Sequence, residues 1–141
     1  MKTVTCLVLG LIAGAASPEP PAEPVVAPVE SAPGAGERAF AEALIGCAVA
    51  THQGPHPFVK GFTIEHAIAG ETDGRCGYRQ TMPGEMRMEC KLSVDGRAGL
   101  AAEFREQAEG RMSGGTGTQP AWTSECEIVT KDGKRMPMQS G

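Results

Sequence analysis

Two Met-x-Met pairs, Met86-x-Met88 and Met136-x-Met138, are the first places where residue type and spacing suggest chemistry. Thioethers are soft ligands that suit Cu(I), and they stay available in an oxidising compartment where cysteines are bridged. Met136 and Met138, together with His52 and His56, form the candidate metal set for a copper site. Packing competes with this reading. Met86 and Met88 fall on the apolar face of an alternating run, where flexible thioethers fill gaps in a core poor in aromatics. His52 and His56 bracket Gly54-Pro55, so they lie in a loop, where exposed imidazoles are ordinary. His66 sits on the apolar side of its run and reads as a hydrogen-bonded core histidine. Copper is therefore the alternative, and no cofactor is the leading expectation.

Other catalytic signatures are missing. The chain contains no GxSxG, HExxH, phosphate loop or dinucleotide fingerprint. Glu65, Glu85 and Glu89 form no distinctive acid pair, and no CxxC redox or zinc motif occurs. The expectation is a domain that is not an enzyme, with a hydrolase of unfamiliar type as a second alternative.

Cysteines speak more clearly. Apart from Cys6, four remain, Cys47, Cys76, Cys90 and Cys126. An even count in a small exported domain implies two disulfides, and four cysteines allow three connectivities. Parity favours one. Cys76 and Cys90 lie on the apolar faces of neighbouring strands, and those faces coincide only if paired residue numbers sum to an even number. A two-residue Pro83-Gly84 loop would pair Met82 with Glu85 and turn Cys90 the wrong way. A five-residue loop over 81–85 closes at Gln80 and Met86 and sets Cys76 opposite Cys90. The expected bonds are then Cys76–Cys90 and, by remainder, Cys47–Cys126.

The elements that must hold these residues follow from periodicity. Phe40, Ala43, Leu44, Cys47 and Thr51 make one apolar stripe, which predicts a helix over 37–51 stopped by Gly54-Pro55. Three runs of period two follow, over 62–69, 76–82 and 86–92, the first two separated by the turn residues Thr72-Asp73-Gly74. Ser93 is a candidate N-cap and Asp95 suits the first turn of a second helix over 94–109, with Leu100, Ala101, Phe104 and Ala108 as its stripe. Residues 113–120 read as a loop. Trp122, Ser124, Cys126 and Ile128 then alternate into a C-terminal hairpin turned by Asp132-Gly133. The predicted fold is α+β: helix, three-stranded antiparallel meander, helix, hairpin, stapled by disulfides.

The N-terminus has its own signature. Lys2, an apolar run over 4–16 and the small residues Ala13-Gly14-Ala15-Ala16 match a cleavable export signal over 1–16. Residues 17–36 hold six prolines and read as a stiff linker. The domain is then 37–141, with 12 basic against 14 acidic residues. A balance so near neutral argues against nucleic acid and against a polybasic membrane anchor. No apolar stretch reaches the length of a spanning helix. The implied location is periplasmic or secreted. The implied role is to bind a protein partner or small ligand of the cell envelope.

One resemblance adds to this. His-Pro-Phe-x-Lys-Gly-Phe-Thr-Ile-Glu-His from His56, then Cys-x-Tyr-x-Gln-Thr-Met-Pro-Gly-x-Met-x-Met-x-Cys from Cys76 to Cys90, resembles small exported bacterial proteins sharing this hairpin. The likeness spans under half the chain and implies export and a disulfide domain, with no activity attached. Such proteins carry another cysteine just after the position of Cys47. Here that stretch is Ala-Val-Ala-Thr-His-Gln, which makes Cys126 the substitute partner.

Overall fold

The structure is a computed structural model, and it describes residues 32–112 and 118–138. The segment read as an export signal (1–16) and most of the segment read as a proline-rich linker (17–36) lie outside those residues.

Helix α1 spans Ala35–Gly46. It starts two residues inside the segment read as linker and ends five residues before the predicted stop. The cause is at its C-terminus, where Cys47 adopts a left-handed conformation (φ 50°). The amide of Ala48 then donates to Ala43 O at 2.9 Å, closing the helix with a Schellman-type bond. The chain is thereby released into a strand that periodicity did not reveal, β1 (Ala50–Pro55). β2 (Thr63–Thr72), β3 (Arg75–Met82) and β4 (Met86–Leu92) form the expected meander. Helix α2 (Val94–Ala108) follows. A short 3₁₀ turn over Ala121–Glu125 leads into β5 (Cys126–Val129) and β6 (Arg135–Pro137).

The last hairpin is shorter than its alternation implied. Thr123 Oγ1 donates to Pro120 O and Ser124 Oγ to Ala121 O, so these hydroxyls stabilise a turn in place of a ladder. Gly133 does sit in the turn with φ 85°, but the ladder closes at Val129 and Arg135, leaving five residues between the strands.

All six strands are antiparallel and follow chain order, β1-β2-β3-β4-β5-β6. Both helices cover one face. Phe40 and Leu44 of α1 and Leu100, Ala101 and Phe104 of α2 are buried against Ile68, Tyr78, Met88 and Leu92 of the sheet. Fully burying a Leu or Phe side chain contributes about 1.5–3 kcal/mol, so these few residues supply much of the core's stability. No described element covers the other face. Its odd-numbered residues are mostly polar, with Ala67, Ala69, Gly77 and Val129 among them, which is how an antiparallel sheet remains stable with one side in water.

The predicted disulfides are re-paired. The bonds are Cys47–Cys76 and Cys90–Cys126. Met82 pairs with Met86 across a three-residue loop, so Tyr78 stands opposite Cys90 and Cys76 opposite Leu92. The parity argument chose the right faces, but the register is two residues off. Gly84 (φ 77°) and Glu85 (φ 58°) both take left-handed conformations, which lets the chain reverse in three residues instead of five. Cys90 then meets Cys126 directly across the β4–β5 ladder, with Cα atoms 4.0 Å apart. Cys47 at the end of α1 reaches the start of β3. Sequence separations of 29 and 36 correspond to about 3.5–4 kcal/mol each by loop entropy.

Candidate functional site

β1 is an edge strand of low apolar content, and its pairing with β2 builds two different surfaces. Its register sets His52 opposite His66, and Gln80 of β3 continues the same row. These even-numbered residues point under the helices. Their odd-numbered neighbours Thr51, Gln53, Glu65, Ala67, Arg79 and Thr81 point to the open side.

Under the helices lies a cluster of rings. Phe40 and Phe104 meet with centroids 4.8 Å apart, and the imidazoles of His52 and His66 stack below them at 5.9 Å. His66 Nδ1 is 2.7 Å from the Tyr78 hydroxyl, which donates to Gln80 Oε1 at 3.0 Å. With that proton committed, the neutral His66 carries its own proton on Nδ1 and donates to Tyr78. Burial, aided by His52, lowers His66 from its ordinary value to about 4. Burial also pushes the Tyr78 phenol well above its ordinary range. Both groups therefore stay neutral near pH 7, as core residues with satisfied partners do. His66 is the core imidazole expected of it. His52 is not the exposed loop residue expected of it: its side chain is 14% exposed, and Nε2 faces Glu37 Oε1 at 3.7 Å.

The other sequence candidates scatter. His56 follows β1 and is half-buried; its Nδ1 accepts from the amides of Phe58 and Val59 at 3.1 and 3.0 Å, which shapes the β1–β2 loop. Met136 lies in β6, and Met138 packs against the core beside it. β1 and β6 are the opposite edges of the sheet, so His52 and His56 are separated from Met136 and Met138 by four strands. At about 4.8 Å per strand, that is some 24 Å. The four residues proposed as a metal set do not converge. Met88 is buried in the core. Cys47, Cys76, Cys90 and Cys126 are all bridged and cannot act as nucleophiles.

What the sequence did not reveal is the open face. It is hollowed into two adjoining cavities, of about 360 Å³ over β1–β4 and about 1020 Å³ over β2–β6. The floor is made of small residues: Ala67 in the smaller cavity, and Ala69, Gly70 and Gly77 in the larger. A Cβ at Gly77 would lie 3.2 Å from that of Ala69, so the hollow is as deep as the backbone permits there. Charged side chains form the walls. Arg87 donates to Glu89 Oε1 at 2.6 Å, and Arg135 bridges Glu89 and Glu127 at 2.8 and 3.0 Å. Those hydrogen bonds hold the Glu89 carboxyl below its usual range. Arg79 lines both cavities and makes no ion pair among the described residues. The signal available in advance was the run of charges Arg87, Glu89 and Lys91 alternating with apolar residues, which marks a solvated face without showing its shape.

At the rim, Glu125 performs a structural task. Its carboxylate accepts from the Ser93 amide and hydroxyl, both at 2.6 Å, at the N-terminus of α2. The Ser93 hydroxyl accepts in turn from the Gly96 amide. This is the arrangement of a capping box, with the acid supplied from 32 residues away in place of the third helical residue.

Comparison with known protein families, curated proteins and solved structures finds no match for this chain.

Proposed function

We propose that the chain is an exported, non-catalytic domain that binds a partner or ligand in the cell envelope through the open face of its sheet. The observation that carries this reading is the hollow itself: a recess over a sheet face that no described element covers, with a floor of Ala and Gly. A sheet face that only needed to be wet would be served by larger polar side chains. The smaller cavity volume lies within the range typical of ligand sites and the larger slightly above it. Two disulfides in a small domain are consistent with an oxidising compartment.

The test is chemical-shift mapping. Isotope-labelled protein is titrated with fractions of envelope extract, and wild type is compared with Ala67→Trp, which fills the floor without touching the core. Binding fractions should shift amides of β1–β4 around Ala67 and Arg79, and Ala67→Trp should abolish the shifts. Perturbations confined to the helices and unchanged by Ala67→Trp would overturn the reading.

A further inference from the structure

We infer that the outer edge of β1 pairs with β1 of a second copy of this chain about a two-fold axis, joining two sheets into one. This goes beyond the open face and holds whatever that face binds. β1 and β6 are the two edges of the sheet. β6 is closed by its own composition. It has three residues, among them the charged Arg135 and Pro137, which has no amide to donate. β1 runs for six residues, Ala50–Pro55, with no Asp, Glu, Lys or Arg and with proline only at its end. One side of β1 makes the ladder to β2. The amides and carbonyls of its other side have no backbone partner among the described residues. An edge of that kind is a template for another strand, and proteins that avoid such pairing blunt it with charge or with proline inside the strand.

The surroundings of β1 favour a second copy as the incoming strand. Between Glu42 and Lys60 the chain has no Asp, Glu, Lys or Arg, its longest interval without one. Beside a two-fold axis each side chain meets its own counterpart, so a charge there would face a like charge, and this edge carries none. Exposed large apolar residues stand at both ends of the strand: Ile45 and Val49 precede it, Phe58 and Val59 follow it. Val49 and Phe58 are 78% and 80% exposed. Antiparallel pairing about the axis carries the start of each β1 to the end of the other. The apolar residues before β1 in one copy then approach those after β1 in its partner. The second pair is held in place beforehand. His56 Nδ1 accepts from the amides of Phe58 and Val59, and the Phe62 amide donates to Val59 O at 3.2 Å. Little conformational freedom is then lost on contact. The two open faces coincide only in registers whose paired residue numbers sum to an even number. In such a register the smaller cavity, lined by Thr51 and Gln53 of β1, adjoins its counterpart across the axis.

The experiment uses the oxidised, full-length exported protein. Mass is read by analytical ultracentrifugation from micromolar to millimolar concentration, and edge pairing by amide hydrogen exchange. A dimer should form as concentration rises, and amides of β1 should gain protection with it. Val49→Asp and Phe58→Asp should each raise the dissociation constant by about tenfold or more, because each removes an exposed apolar side chain from the contact. Urea unfolding of the dilute monomers should show both variants folded as stably as wild type. Val94→Asp, at an exposed apolar position at the start of α2, should leave the dimer unchanged. A protein that stays monomeric at millimolar concentration overturns the proposal, even if an unrelated extended peptide protects β1. A dimer that Val49→Asp and Phe58→Asp do not weaken, or that Val94→Asp weakens equally, overturns it too. So does a dimer whose formation leaves exchange in β1 unchanged.

Discussion

Gly96 is glycine because Glu125 occupies the space its side chain would take, and this makes a sign-changing prediction. A Cβ on Gly96 would lie 2.5 Å from Glu125 Oε2 and 3.1 Å from its carboxyl carbon. In an isolated helix, Gly→Ala gains up to about 1 kcal/mol. Here the methyl must displace a carboxylate that accepts two hydrogen bonds from Ser93. Hydrogen bonds to a charged group contribute about 1.5–3 kcal/mol each, less where water can replace the partner. The half-buried site puts Glu125→Ala at about 2–3 kcal/mol of destabilisation, or some 10–20 °C in Tm for a domain of this size. Gly96→Ala alone should cost about 1–2 kcal/mol, the lost carboxylate contacts outweighing the helix gain. In the Glu125→Ala background the same substitution meets no carboxylate, so it should stabilise by up to about 1 kcal/mol. The coupling in the double-mutant cycle is then about 2 kcal/mol. Urea unfolding of the four oxidised proteins at pH 7 measures it. If Gly96→Ala stabilises the wild type, or changes stability equally in both backgrounds, the trans cap is not what requires glycine.

His66 should make the fold acid-sensitive. Its folded pKa of about 4 lies below the unfolded value of 6.5, so the unfolded chain binds the extra proton between these values. Stability from this group is complete above pH 6.5 and is lost as pH falls toward 4, by up to about 3 kcal/mol. Glu103, whose carboxyl is raised by burial, works in the opposite sense, so the measurement is the difference between wild type and His66→Gln across pH 4–7. That difference should shrink with acidification. Unreduced tryptic mapping should link the peptide 76–79 to 39–60, and 88–91 to the peptide holding Cys126. A Cys76–Cys90 link would contradict the observed register. Met88→Ala should destabilise by about 2–5 kcal/mol with or without added copper, because the residue is core; a loss seen only with metal present would contradict that. Intact mass should place the first residue of the exported protein at Ala16 or Ser17, and retention of residues 1–15 would defeat the export reading.

Local periodicity determined the α+β class, the meander of β2 to β4, helix α2 and the side of those three strands that faces inward. Alternation and helical stripes report burial one residue at a time, and burial is what the core imposes. The even count of cysteines after Cys6 identified the four that are bridged. The connectivity needed more, because Cys76 and Cys90 share a face in any even register and only the loop geometry selects which. Two left-handed residues at Gly84 and Glu85 moved the register by two and exchanged both partners. β1 escaped because an edge strand such as Ala-Thr-His-Gln-Gly-Pro has neither a run of β-branched residues nor an apolar face. It forms because β2 supplies the hydrogen bonds and because the helix before it is closed at Cys47. The His52–His66 stack exists only once that strand is in place. Glu125 could not be recognised as a helix cap from 32 residues away. The hollow open face is likewise tertiary: small residues and charges were visible along the chain, but their gathering on one side depends on the pairing of six strands.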